Sequence, residues 1–265
     1  MELSRSELER YARQLILPEI GEEGQKKLKA ARVLVIGAGG LGSPALYYLA
    51  AAGVGHITIV ESDRVEPSNL NRQILYTAAD VGRMKAEVAR ERLLALNPDI
   101  EVEALARRFD VPLARKLVPR HDLVVDASDN FATRYLANDA AVLFDRPLVH
   151  GSIYRFEGQL AVFHHEGGPC YRCLYPAPPK ERPSCGEVGV LGALPGVVGA
   201  MMAAEAVKVI LGIGEPLSRA LLLVDLFLAE FRKLKVKRNP ACPVCGERPV
   251  ITELLPSRYE DDCRG

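Results

Sequence analysis

The 265-residue sequence predicts an α/β fold in which a doubly wound, mostly parallel sheet is extended by antiparallel strands. Three observations carry this expectation. An apolar run, Val33 to Ile36, leads through the turn Gly37-Ala38-Gly39-Gly40-Leu41-Gly42 into a helical pattern at Leu46, Leu49 and Ala50. Strand-like and helical segments then alternate to about residue 151. Beyond that point strand patterns follow one another around one apolar helix, and no polar linker separates the two halves. A chain of this length can bury one large core, so residues 1–265 are expected to form a single domain.

Each element has its own signal. Ser4 or Ser6 with a glutamate three residues later (Glu7, Glu9) makes a capping-box start, so residues 5–14 read as a short helix. After the glycine turn and its helix, HITIVE (56–61) reads as a second strand. Residues 82–98 carry helical spacing at Val88, Leu93 and Leu96 and stop at Pro98. IEVEAL (100–105) alternates as a strand does, DLVVDA (122–127) is a buried-strand run, and residues 134–144 are helical. In the second half, residues 154–165 alternate, 195–211 form a helix, and 220–238 form a pair of strands joined by a short turn.

Bulk properties exclude several function classes. Lys+Arg and Asp+Glu both total 34, so no global field draws nucleic acid or an anionic membrane, and any basic site must be local. The opening MELSRSELERYARQ is charged and lacks the apolar core of a secretory signal. The uncharged stretch from Val188 to Ala204 holds Pro195 and four glycines, is short for a span, and runs into Glu205 and Lys208. It reads as a buried loop and helix. The expected location is the cytoplasm, where six cysteines are thiols or metal ligands rather than disulfides.

The glycine turn points to phosphate. Gly37, Gly39, Gly40 and Gly42 let the backbone turn sharply and approach a ligand closely, and the following helix offers unpaired N–H groups. The same pattern fits several nucleotide folds, or simply a tight strand-helix junction. Glu61, nineteen residues past Gly42, can accept hydrogen bonds from ribose hydroxyls, as in Rossmann-like folds, or be a solvated strand-end glutamate. Next comes a polar loop with Asn69, Asn71, Arg72 and Gln73, followed by Lys85. These side chains suit phosphate oxygens and a departing pyrophosphate. In DASDN (126–130), Asp129 can hold magnesium between phosphates or help cap the next helix, and Asp126 is assigned a structural role. His56, His121, His150, His164 and His165 read as strand-end or surface residues.

The cysteines give the most specific local signal. Cys170-x-x-Cys173 and Cys242-x-x-Cys245 are two metal-binding halves, and four thiolates make a closed zinc site with no open position for catalysis. Sixty-eight residues separate the halves, so the fold must bring them together. A redox role for either pair is weaker, because neither stands at the head of a helix after a strand.

The ordered series YARQLILPEIG, GAGGLGSP, SNLNRQILY, GRMKAE, DASDNFATRYLANDA, CYRCLYP, CGEVGVLG and CPVCG resembles the MoeB/ThiF family, bacterial relatives of the ubiquitin-activating enzymes, over nearly the whole chain to Gly246. The resemblance implies an adenylyltransferase that activates the C-terminal glycine of a ubiquitin-fold sulfur carrier ending in Gly-Gly, for molybdopterin, thiamine or tRNA-thiolation pathways. It implies that Gly40, Glu61, Ser68, Asn69, Leu70, Asn71, Arg72, Lys85, Asp129 and Asn130 contact ATP or Mg2+, and that the four paired cysteines bind Zn2+. It further implies that Arg13 reaches into the partner's site of a homodimer. On this basis 1–30 is an N-terminal helical segment, 31–151 the nucleotide-binding half, 152–246 the carrier-binding and zinc half, and 247–265 a tail. The family commonly has aspartate at position 61. The chain stops soon after the second cysteine pair, which implies a separate persulfide donor, a cysteine desulfurase or rhodanese. Cys185, in a Pro- and Gly-rich stretch outside both pairs, is expected to act after adenylation or to be a spare thiol. The alternatives are a nicotinamide-dependent oxidoreductase, an adenylating enzyme acting on a modified tRNA nucleoside, and a zinc-knuckle nucleic-acid-binding or scaffold protein. The neutral charge balance opposes the last, and no direct nucleic-acid partner is expected.

Overall fold

The computed structural model describes residues 2–179 and 189–259. The short N-terminal helix is α1 (Arg5–Arg10), and its capping box is present: the Ser4 hydroxyl accepts from the Glu7 N–H while Glu7 accepts from the Ser4 N–H. The expected helix over 5–14 breaks at Tyr11, which leaves helical geometry and sinks into the core, and α2 (Ala12–Leu15) resumes after it. α3 (Gly21–Ala30) completes the helical N-terminal segment.

The chain then winds through β1 (Arg32–Ile36), α4 (Gly42–Ala52), β2 (His56–Val60), α5 (Lys85–Leu96), β3 (Glu101–Leu105), α6 (Val111–Leu117), β4 (Leu123–Asp126), α7 (Phe131–Leu143) and β5 (Leu148–Tyr154). Helix α5 begins three residues later than its apolar spacing suggests, because Gly82 takes φ +87° and Arg64 pairs with Met84 in an isolated bridge. The second half carries β6 (Glu157–Phe163), α8 (Tyr171–Leu174), α9 (Leu194–Leu211), β7 (Ala220–Asp225) and β8 (Glu230–Lys235).

The eight strands among the described residues form one sheet in the order β3-β2-β1-β4-β5-β6-β7-β8. The first five run parallel and the last three join antiparallel, as the sequence patterns predict. Successive β1 side chains point to opposite faces, as the strand period requires. Val33 and Val35 pack with Leu46 and Leu49 of α4, Val88 of α5 and Met202 of α9, whereas Leu34 and Ile36 pack with Leu113 of α6 and Leu136 of α7. Helix α9 is long and apolar enough to cross a membrane by length and composition. Leu194, Val198, Met202 and Ala206 recur every four residues along it and are wholly buried, so it serves as the core helix that the sequence suggests.

Register sets the site. Ile36 pairs with both Val60 and Asp126, so the C-terminal ends of β1, β2 and β4 lie level. The strand order reverses between β1 and β4, and doubly wound sheets bind ligands in the crevice at such a point. Glycine is required there: Gly37 has φ +92°, and a Cβ on it would lie 2.8 Å from the Ala127 carbonyl oxygen.

Candidate functional site

A cavity of about 390 Å³ opens over this reversal point. The turn after β1 forms its floor through Gly37, Gly39 and Gly40, and Glu61, Asp63, Lys85 and Asp129 stand around it. Of the residues singled out from sequence, Gly37, Gly39, Gly40, Glu61, Arg72, Lys85, Asp129 and Asn130 line the cavity together. Gly42 sits just behind as the first residue of α4, where a Cβ would collide with the Gly37 carbonyl.

Several of these side chains are held by the fold. Glu61 accepts from the Ala38 N–H at 3.0 Å and from the Asp63 N–H at 2.8 Å, which leaves each carboxylate oxygen with further accepting capacity. Lys85, 4% exposed at the head of α5, donates to Asp63 at 3.0 Å. Arg72 lies along the loop, donating to the Ser68 carbonyl (2.9 Å) and to Asn71 Oδ1 (3.0 Å). Asn130 caps α7 by accepting from the Thr133 N–H. Asp129 is exposed and forms no hydrogen bond or ion pair among the described residues. An oxygen donor left open beside a phosphate-sized turn fits a magnesium site, which needs only one or two protein carboxylates.

The stretch Ser68–Asn71 lies off the cavity wall. Asn69 Oδ1 accepts from the Glu66 N–H, Leu70 packs on the core, and Ser68 and Asn71 brace Arg72. Arg13 is exposed on α2 and does not line the cavity of its own chain. Cys185 lies outside the described residues.

Three arginines that the sequence pattern does not single out join the site. Arg107 and Arg108 line the cavity from the loop after β3, and Arg134 does so from the first turn of α7, donating to the Ser128 carbonyl at 3.2 Å. The pair Arg107-Arg108 directly after an alternating strand is the signal available for two of them. Two histidines also depart from expectation. His121 and His150 are each only 3% exposed, because each has buried partners. His121 contacts the Thr58 hydroxyl and the Leu117 carbonyl, and His150 Nδ1 lies 2.8 Å from Asp126 Oδ2. Asp126 Oδ1 in turn accepts from the Ser128 hydroxyl (2.6 Å) and N–H (3.1 Å); it braces the loop after β4, whereas the cap of α7 that the sequence suggests for it falls to Asn130. Burial alone would raise the Asp126 carboxyl, but its bond from His150 and its other partners hold it below the usual carboxylate value.

The fold unites the two cysteine pairs. The sulfurs of Cys170 and Cys242 are 3.5 Å apart, those of Cys173 and Cys245 3.4 Å, and all four lie within 4.8 Å of one another. A zinc ion with four Zn–S bonds of ~2.3 Å would set its sulfurs roughly 3.8 Å apart, so the cluster fits that ion. The Asn239 N–H donates to Cys173 Sγ at 3.4 Å, and Arg238 donates to the Cys245 carbonyl. Arg172, between the first pair, makes a two-pronged ion pair with the wholly buried Asp139 of α7 at 2.7 and 2.8 Å and stacks over Tyr135. Tyr259 and Asn138 also donate to Asp139.

Comparison with known proteins finds relatives over nearly the whole chain. Residues 11–244 match the ThiF family. The chain is 59% identical over 270 residues to the sulfur carrier protein adenylyltransferase of Thermus thermophilus, covering 99% of each. It is 50% identical to the adenylyltransferase and sulfurtransferase MOCS3 of Culex quinquefasciatus, covering 98% of this chain and 60% of that protein. Crystal structures of E. coli MccB superpose on it with TM-scores of 0.81 (with MccA-N7isoASN) and 0.77 (with ATP), each at 26% identity. These cover 92% and 89% of this chain and 76% and 74% of the MccB chains.

Proposed function

The chain belongs to the ThiF family, and from that membership we propose that it uses ATP to adenylate the C-terminal glycine of a ubiquitin-fold sulfur carrier protein. The observation that carries the reading is the convergence of the glycine turn, Arg72, Lys85 and Asp129 in one cavity. The carrier's terminal carboxylate is already ionised at neutral pH, so its oxygen attacks the α-phosphorus without a general base. The bond to the β-phosphate oxygen breaks, pyrophosphate leaves, and the acyl-adenylate remains. Such a reaction needs alignment and positive charge on the leaving group rather than an acid-base pair. Arg72 and Lys85 supply that charge, Glu61 takes the ribose hydroxyls, and Asp129 would hold Mg2+, which neutralises phosphate charge. The cationic lining favours this chemistry over the nicotinamide alternative.

Arg13 is exposed and does not line its own cavity, and the exposed Ile16 (69%) and Ile74 (59%) offer apolar surface for a second copy. The reading therefore includes a homodimer in which Arg13 completes the partner's site. The carrier docks on the second half, where Ile153 lines the cavity and Tyr154, Phe156 and Phe227 stand exposed beyond it. Four cysteines kept as metal ligands suit the cytoplasm. Sulfur comes from a persulfide donor, with Cys185 acting only after adenylation.

The test is ATP–pyrophosphate exchange with purified Gly-Gly carriers. Exchange should require a carrier and be lost when its last glycine is removed. Exchange without any carrier, or none with every carrier tried, would refute the assignment. Cys185→Ser should keep carrier-dependent exchange near the wild-type rate while losing thiol-sensitive adducts with the carrier.

A further inference from the structure

We propose that Tyr76 is the positioning residue that turns the Gly39 N–H of the glycine turn toward the nucleotide's phosphates; the assignment rests on the nucleotide reading given above. Tyr76 lies in the long crossover between β2 and α5 and is 5% exposed, with its ring in the core under the turn. Its hydroxyl donates to the Ala38 carbonyl at 2.7 Å and lies 3.4 Å from the Lys85 carbonyl. One side chain thereby ties the glycine turn to the head of the helix that carries Lys85. Burial raises the phenol far above its usual range, so it stays protonated as a donor.

The consequence follows from peptide geometry. The unit joining Ala38 to Gly39 is planar and trans, so its N–H points opposite its C=O. Tyr76 draws that C=O into the protein interior. The Gly39 N–H is then aimed the other way, toward the cavity that Gly39 lines, and it has no acceptor among the described residues. On the other side of Ala38, its N–H is held by Glu61 at 3.0 Å, so both peptides flanking the residue are fixed. Apart from Tyr76, the one donor to the Ala38 oxygen among the described residues is the Ser43 hydroxyl, at a weak 3.5 Å. Without the phenol the unit is free to rotate and present its carbonyl oxygen to the phosphates, which repel it.

Tyr76→Phe removes the hydroxyl and keeps the ring. ATP and adenosine binding are measured by titration calorimetry on wild type and variant, beside melting temperature and the KM for ATP in carrier-dependent exchange. The variant should bind ATP about tenfold more weakly, on the scale of one lost hydrogen bond to a charged group. Adenosine, which lacks phosphates, should bind both proteins equally. The KM for ATP should rise by the same factor, with kcat and melting temperature little changed. Unchanged ATP binding overturns the proposal. Equal weakening of ATP and adenosine also overturns it, with or without a fall in melting temperature, because that pattern marks a merely structural tyrosine. Failure of the wild type to bind ATP overturns the nucleotide reading itself, and this assignment with it.

Discussion

The nucleotide cavity and the cysteine cluster are built by opposite rules. The cavity gathers loops at one edge of the sheet, faces solvent, and leaves Asp129 and the Gly39 N–H without partners among the described residues. The cluster joins segments 72 residues apart, with Cys170 and Cys242 buried, and surrounds itself with satisfied groups such as the Arg172–Asp139 pair and the Asn239 N–H. A region that holds a passing ligand must keep donors and acceptors in reserve, whereas a region that holds the fold must commit them. Substitutions should therefore separate cleanly into those that change melting temperature and those that change turnover.

The largest effect belongs to the cluster. Cys242→Ser should lose the metal and with it on the order of 10 kcal/mol of folding free energy, enough to prevent stable folding of the second half. Zinc content and thermal melting check this; a variant that lost zinc but melted normally would break the contrast. Arg172→Met comes next, because it strands the Asp139 carboxylate in the core. It should cost about 3–5 kcal/mol by denaturant titration.

On the cavity side, Arg13→Ala should slow adenylation by about two to three orders of magnitude, the scale of one preorganised charge donor, with melting unchanged. Mixing Arg13→Ala with Asp129→Ala subunits should restore one working site per heterodimer. No recovery after subunit exchange would exclude a shared site.

The smallest effect probes the crossover loop that links the two behaviours. Asp80, which accepts from Thr77, Arg83 and Arg92, is almost wholly buried. Burial raises its carboxyl, but these partners together bring it down to about 2, below the ordinary aspartate value of 3.8. A depressed folded-state value means that the carboxylate's stabilisation is present above the unfolded value and is lost as pH falls from about 4 toward 2. Between those limits Asp80→Asn should remove an acid-dependent loss of roughly 1–2 kcal/mol. Identical acid unfolding of both proteins would remove Asp80 from the account.

What can be read in the sequence follows the same division. The glycine turn, Glu61, Lys85 and Asp129 follow strand ends or open the next helix, so local pattern alone places them at the sheet edge. The cysteine pairs are legible through ligand spacing, although nothing local says which elements join them. The partners of His121 and His150 lie far off in sequence: Thr58 is 63 residues from His121, and Asp126 is 24 from His150. That is why both read as peripheral. Nothing local singles out Tyr76, because the value of its hydroxyl depends on a carbonyl 38 residues earlier. Helix α6 is too brief for apolar spacing to reveal it, although Asp110 at its N-cap and Pro112 within its first turn mark its start.

The separation of the cysteine pairs also sets an order in time. A chain made at about 5–20 residues per second exposes Cys242 roughly 4 to 14 s after Cys170, given the 72 residues between them. By then all five parallel strands have left the ribosome, so the sheet is expected to form around thiols still waiting for their partners. Nascent chains stalled with residues up to Lys235 exposed should protect β1–β5 from protease yet retain no zinc. Chains released past Cys245 should retain it, so metal capture would close the folding of this molecule rather than begin it.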